Sequence, residues 1–196
     1  MKARFEIVFS MAAFGTIAVF VRNIGLPSGE VALYRAVIAA LALFLWQLCT
    51  RQTVRWQDVK KELPLLFVSG AAMSVNWILL FEAYKYTTVA MATLSYYFAP
   101  VIVTVASTVL FREGLTAKQI SCFVMSTLGL VMVIGVSGGG GSHDLLGILL
   151  GLGAAVFYAA VVLINKGIRR VSGLNRTFMQ FLAAILVMTP YISMTG

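Results

Sequence analysis

Seven stretches of about twenty mostly apolar residues follow one another along this chain, at 5–24, 30–49, 63–84, 87–110, 118–136, 145–165 and 174–194. A helix rises about 1.5 Å per residue, so each stretch is long enough to cross the ~30 Å hydrocarbon core of a bilayer. No water is available there to pair with backbone N–H and C=O groups, and only a helix satisfies them within one segment. The connections are mostly too short to hold a soluble domain. The expected architecture is therefore an all-α, polytopic membrane bundle of seven transmembrane helices, with its function inside the bundle. A hydrophobic fraction of 60%, a charged fraction of 11% and a mean hydropathy of +0.93 exclude a core built in water.

The net charge of +8 does not point to nucleic acid, because the basic residues are dispersed through short turns instead of forming one binding face. They report orientation. Lys2 and Arg4 precede the first run; Arg51, Arg55, Lys60 and Lys61 follow the second; Arg112 and Lys118 flank the turn after the fourth; Lys166, Arg169, Arg170 and Arg176 follow the sixth. These twelve fall on one side, against Arg22 and Lys85 on the other, with Arg35 inside the second run. The positive-inside rule then places a multi-pass protein in the cytoplasmic membrane with its N-terminus in the cytoplasm and its C-terminus outside. The first run is longer than the usual signal-peptide core and lacks a small-x-small cleavage site, so it reads as a retained span. Cys49 and Cys122 lie near expected cytoplasmic ends without metal-site spacing, and read as small packing residues.

The chain also repeats itself. Ala12-Ala13-x4-Ala18-Val19-x3-Asn23-x-Gly25 recurs as Ala154-Ala155-x4-Ala160-Val161-x3-Asn165-x-Gly167, and with a two-residue insertion Ser28-Gly29 matches Ser172-Gly173 and Ala39-Ala40 matches Ala183-Ala184. A unit of five helices is odd in number, so its second copy enters the membrane from the opposite side and the two form inverted repeats. Three segments result: residues 1–137 as a first five-helix repeat, 138–144 as a Gly-rich external linker, and 145–196 as the start of a second repeat. Ser137-Gly-Gly-Gly-Gly-Ser142 lacks the Gly-Lys-Ser/Thr and preceding strand of a phosphate loop, and His143 reads as a solvated loop residue.

Several further elements stand out for their order and spacing: Ala12-Ala13-Phe14-Gly15-Thr16 in the first run, Tyr34-Arg35 in the second, Phe81-x-Ala83-Tyr84-x-Tyr86-Thr87-Thr88 at the third turn, and Pro100-Val101 in the fourth run. Arg112-Glu113-x-Leu115-Thr116-x-x-Gln119 precedes the fifth run, which contains Gly129 and Gly135. Taken together, these elements resemble the EamA-type transporters of the drug/metabolite transporter superfamily. The resemblance implies a ten-helix bundle around a central cavity that passes small metabolites, amino acids or drugs. Phe14 stands where the family often has tryptophan. Three C-terminal helices of that bundle have no counterpart in residues 1–196, which leaves either a fragment or a bundle completed by a second chain.

Charge at membrane depth is expensive and marks function or a paired scaffold. Arg35 and Glu82 are the two such residues; they are expected at similar depths, as a structural or coupling ion pair. In the fourth run Thr93, Tyr96, Tyr97, Pro100, Thr104 and Ser107 recur at three- and four-residue spacing as one polar face, and Pro100 leaves the Tyr96 carbonyl without its helical donor. Thr88, Ala92, Ser95 and Ala99 form a small-residue seam on the other side. Ser69 and Asn76, with Trp77 beside them, share a face of the third run, as Gly151, Tyr158 and Asn165 do in the sixth. Asn23 and Asn165 lie near run ends and equally suit caps. Trp46 and Trp56 read as interfacial, and Gly70, Gly129, Gly147 and Gly151 as sites of close helix contact.

The sequence thus points to a carrier for a small organic solute, with Asn76, Trp77, Tyr96, Tyr97, Pro100 and Tyr158 as substrate-binding candidates and the bilayer and solute as partners. Its alternative is a structural half-transporter that works with a second half or as a homo-oligomer. No catalytic group, metal site or cofactor is expected: the one histidine is in a loop, and Glu82 is the clear intramembrane acid. A seven-helix photoreceptor would need a lysine in the last run, which has none. Single cysteines placed in the 50–62 turn and in the 137–144 linker should be labelled from opposite faces of sealed cells. Labelling of both from one face would overturn this topology.

Overall fold

The computed structural model describes residues 25–50, 56–111, 114–136, 142–171 and 173–195. The first run lies outside them, and with it Phe14, Thr16 and Asn23. Each of the other six runs is helical. The elements are α1 (Ser28–Thr50), α2 (Trp56–Tyr86), α3 (Val89–Tyr96), α4 (Ala99–Phe111), α5 (Ala117–Val136), α6 (Ser142–Gly167) and α7 (Gly173–Thr195). The fourth run differs from a single rod because it divides into α3 and α4. Five helical segments among the described residues are long and apolar enough to cross a membrane, with α3 and α4 counted together as one, so the protein is a polytopic helical membrane protein.

Proline causes the division. Pro100 has no N–H to offer the Tyr96 carbonyl, so the helical ladder cannot continue through this point. The chain ends α3 with Tyr97 N–H donating to the Thr93 carbonyl at 2.9 Å and Phe98 N–H donating to that of Ser95 at 3.2 Å. It restarts with Val101 and Ile102 N–H donating to the Phe98 carbonyl at 3.0 and 3.2 Å. At the other end of α3, Thr88 Oγ1 accepts from the Met91 N–H at 3.2 Å, an N-cap after the tight turn from α2. Thr116 and Gln119 form a reciprocal capping box at the start of α5.

α2 is the central helix. With 31 residues it is about 46 Å long, more than the hydrocarbon needs, and its first two turns are polar: Gln57, Asp58, Lys60, Lys61 and Glu62. It packs most extensively along α6, and also against α1, α3 and α7; α3 and α4 lie on the other side of α6, and α1 runs against α7. α1 and α7 pair in antiparallel register, with Gly29 against Tyr191 at one end, Phe44 stacked near Phe178 at 6.4 Å, and Gln47 donating to Asn175 at 3.3 Å at the other. The main core gathers Ala32 and Ala36 of α1, Trp77, Phe81 and Tyr84 of α2, Ala92 and Tyr96 of α3, Ala154 and Ala155 of α6 and Met188 of α7.

Small residues set the helix spacing. A Cβ at Gly70 would come within 2.6 Å of both the Ala183 methyl and the Gln180 carbonyl on α7. One at Gly147 would meet Thr87 at 2.5 Å, and one at Gly151 would meet the Ala92 carbonyl and Ser95 Cβ at 3.0 Å, so Gly151 sits against the small-residue seam of α3. Gly129 differs from the expectation for it: nothing lies within 4 Å of its Cβ position, because α5 presents that side outward. Gly70→Val should therefore push α2 from α7 and lower stability by about 1–3 kcal/mol, whereas Gly129→Ala should be within about 0.5 kcal/mol of the parent. Thermal unfolding in detergent tests both, and equal midpoints for the two variants would contradict this packing.

Candidate functional site

Side chains from five helices meet in the middle of the bundle. Helical spacing puts Trp77, Phe81 and Tyr84 on one face of α2. Arg35 reaches across from α1, its guanidinium carbon 4.8 Å from the Trp77 ring centre and 5.9 Å from that of Phe81. Such cation–aromatic contacts are worth about 0.5–2 kcal/mol and suit the weakly hydrated guanidinium. Phe181 of α7 backs Trp77 at 5.6 Å. Tyr84 and Tyr96 lie close enough to Arg35 to feel its charge, and Tyr96 also faces Tyr158 of α6, edge to face at 5.5 Å.

Asn76 links the two layers. Its amide nitrogen donates to the Ala154 carbonyl on α6 at 2.6 Å, and its side chain also lies in hydrogen-bonding range of the Tyr96 hydroxyl. It is 1% exposed, Tyr96 8% and Trp77 8%, whereas Tyr158 remains 41% exposed. A buried amide that bonds both a neighbouring helix backbone and a tyrosine ties the Tyr96 side chain to the α2–α6 interface. The arrangement offers flat aromatic faces, phenol hydroxyls and one cation, which together can hold a small organic group by stacking, hydrogen bonding and charge.

Of the residues singled out by sequence, the structure brings Asn76, Tyr96 and Tyr158 together and sets Trp77 beside them under Arg35. Tyr97 touches the group only through Tyr96, at 6.3 Å between ring centres, and is 54% exposed. Pro100 lies elsewhere. It is exposed and lines an apolar groove of about 410 Å³ between α4 and α5, with Val101, Thr104, Val105 and Phe123. The break at Tyr97–Phe98 is the reason: it turns the continuous polar face expected for the fourth run into an inward half and a groove half. Thr104 satisfies its hydroxyl on the Pro100 carbonyl at 2.8 Å.

The pairing expected between Arg35 and Glu82 gives way to a different one. Glu82 forms its salt bridge with Lys85 at 3.0 Å and accepts from Ser28 Oγ at 2.5 Å, while Arg35 points along the aromatic faces. Lys85 lies one turn away on the same helix, so the carboxylate is neutralised without crossing the bundle. Asn165 proves to be no simple cap. Its side-chain oxygen accepts from Gln180 of α7 at 2.6 Å and from Ser69 of α2 at 3.3 Å. Sequence reasoning passed over Gln180, a lone amide in an apolar run, and over Phe81 and Tyr84 as partners of Arg35. The three- and four-residue spacing from Trp77 to Tyr84 was the available signal.

Comparison with known proteins agrees with this picture. The chain is 31% identical over 191 residues to an uncharacterized transporter, YxxF, of Bacillus subtilis (strain 168), an alignment that covers 95% of this chain and 61% of the relative. It is 29% identical over 191 residues to an uncharacterized transporter of Archaeoglobus fulgidus, covering 97% of this chain and 66% of that one. It thus spans a little under two thirds of the length of these relatives. No solved structure matches it significantly. Residues 2–135 match the EamA-like transporter family, and with a bundle of apolar helices, a polar and aromatic centre and transporter-named relatives across nearly its whole length, the chain belongs to that family.

Proposed function

We propose that the protein is a carrier that moves a small organic solute across the cytoplasmic membrane through a central cavity between inverted repeats. The observation that carries this reading is the convergence of Tyr96, Tyr158 and Asn76 beside Arg35 and Trp77, because polar and aromatic side chains at mid-depth are costly unless they face a path or one another. The antiparallel register of α1 on α7 supports the repeat, since two-fold-related helices meeting at an axis cross with matched, reversed positions. The positive-inside rule supports an orientation with the end carrying Lys60, Lys61, Arg169 and Arg170 in the cytoplasm. In this scheme Tyr96, Tyr158 and Asn76 hold the solute and Trp77 supplies a stacking face. Arg35 braces the Trp77 and Phe81 faces, and the Glu82–Lys85 pair holds the outer end of α2.

Tyr96→Ala, Tyr158→Ala and Asn76→Ala should lower uptake or efflux per folded molecule at least tenfold, with a smaller effect on yield for the partly exposed Tyr158. Pro100→Ala and Tyr97→Ala should act less on transport, since their side chains lie outside the cluster. Full specific transport by all three cluster variants would sink the assignment.

A second reading is favoured by one observation. From Ala117 to Ser126 every residue of α5 is exposed, and its ring contact with the bundle is Phe123 with Phe98 at 6.3 Å. Such a helix suits a half-transporter that packs α5 against a second chain. Residues 1–196 in mild detergent should then self-associate, and a stable monomer by native mass measurement would exclude this alternative.

A further inference from the structure

The two ends of the α1–α2–α7 side of the bundle are closed to different degrees. At the basic end, three layers join α2, α6 and α7. Innermost is a buried polar triad in which the Gln180 amide nitrogen donates both to Ser69 Oγ and to Asn165 Oδ1 at 2.6 Å, and Ser69 Oγ donates to the same Asn165 oxygen at 3.3 Å. Ser69 is 0% and Gln180 2% exposed. Below it lies an apolar plug of Val59, Leu66, Ile168, Val171 and Met179. Outermost, Glu62 Oε1 accepts from the backbone N–H groups of Arg169 and Arg170, both at 3.0 Å, and Arg176 donates to the Asn165 and Ile168 carbonyls at 3.1 and 3.4 Å. At the opposite end the same side carries an open pocket of about 150 Å³ lined by Ser28, Glu30, Glu82, Lys85 and Tyr191.

We propose that the Ser69–Asn165–Gln180 triad is a latch that closes the basic end of the central path, and that the structure holds the carrier in the state with this end shut. The inference rests on the carrier reading above. One amide nitrogen gives both of its hydrogens to oxygens on two other helices, so a single side chain ties three helices at one level. Parting them leaves neutral polar groups, which water entering the opened path can hydrate. That reversibility separates a latch from the apolar contacts of the main core, whose separation would expose hydrocarbon to water. The position matching Gln180 in the first repeat is Ala36, which has no polar side chain, so the two repeats differ at this member of the triad. The exit at the basic end is thus tied by hydrogen bonds.

The test uses thiol accessibility instead of transport, in nanodiscs where both faces are open to reagent. Cys49 and Cys122 are both exposed and are first replaced by serine. Leu66→Cys then reports on the plug, 1% exposed in the closed state; Trp56→Cys reports on the exposed helix start, and Ala154→Cys on the main core. Adding Gln180→Ala should raise the rate at which a charged, membrane-impermeant thiol reagent labels the Leu66→Cys variant about eightfold, as expected for two interhelical bonds lost at about 0.6 kcal/mol each. The Trp56→Cys and Ala154→Cys rates should not change. Where Gln180→Ala yields no folded protein, Ser69→Ala takes its place, with an increase of up to about eightfold, since Ser69 also makes two of the triad's bonds. An unchanged Leu66→Cys rate overturns the latch, and so does a rise in labelling at Ala154→Cys of the same size, which would make the triad ordinary scaffold. Loss of transport in the tyrosine variants bears on the carrier reading alone, so the two ideas fail separately.

Discussion

Inside a bilayer, bringing two apolar helices together expels no water, so close van der Waals approach and interhelical hydrogen bonds hold the bundle instead. The position of α2 expresses that constraint. Its neighbours approach until backbone meets side chain, at Gly70 for α7, while Gly147 and Gly151 let α6 close on the turn and helix that follow α2. Once these separations are fixed, the places where polar side chains can reach a partner are fixed too. Asn76 meets the Ala154 carbonyl at 2.6 Å because no bulk stands between α2 and α6.

The polar groups of the bundle are sorted by how they are satisfied. Near the start of α1 and the end of α2, Glu82 is held by Lys85 on its own helix and by Ser28 across the interface. At mid-depth, Arg35 lies against aromatic faces, an environment that tolerates a cation while keeping tyrosine hydroxyls within its field. Toward the basic end, neutral amides and a hydroxyl bond one another in a dry setting. This sequence from ion pair to cation–aromatic stack to neutral triad gives the bundle a polarity along its axis that its nearly uniform hydropathy hides.

The helices were legible from the sequence because hydrophobic length is a strong and local signal, and six runs, from 30–49 to 174–194, are helical as expected. What the runs could not convey was the division of 87–110, although its cause, Pro100, was in view. Proline states that a bond is lost, but whether the helix bends or stops depends on whether neighbours supply other partners, which is a tertiary matter. Spacing was enough to single out Asn76, Tyr96 and Tyr158, which the structure brings together, since each sits at a regular interval on an otherwise apolar face. It failed for the partner of Glu82, because similar depth does not decide between a cation across the bundle and Lys85 one turn away on the same helix. It failed also for Gln180, whose importance lies wholly in what two other helices bring to it.

The interruption between α3 and α4 sets how one run meets its surroundings. α3 is eight residues, about 12 Å, and is pinned to α6 through Ala92 and Ser95 at Gly151. α4 leaves it through Tyr97 and Phe98, where Pro100 offers the Tyr96 carbonyl no donor and Val101 N–H turns to the Phe98 carbonyl. A crossing built as two short rods joined by an elbow splits the polar face of one run between two environments: the upper rod turns Tyr96 to the centre, and the lower one turns Pro100 and Thr104 to the groove beside α5.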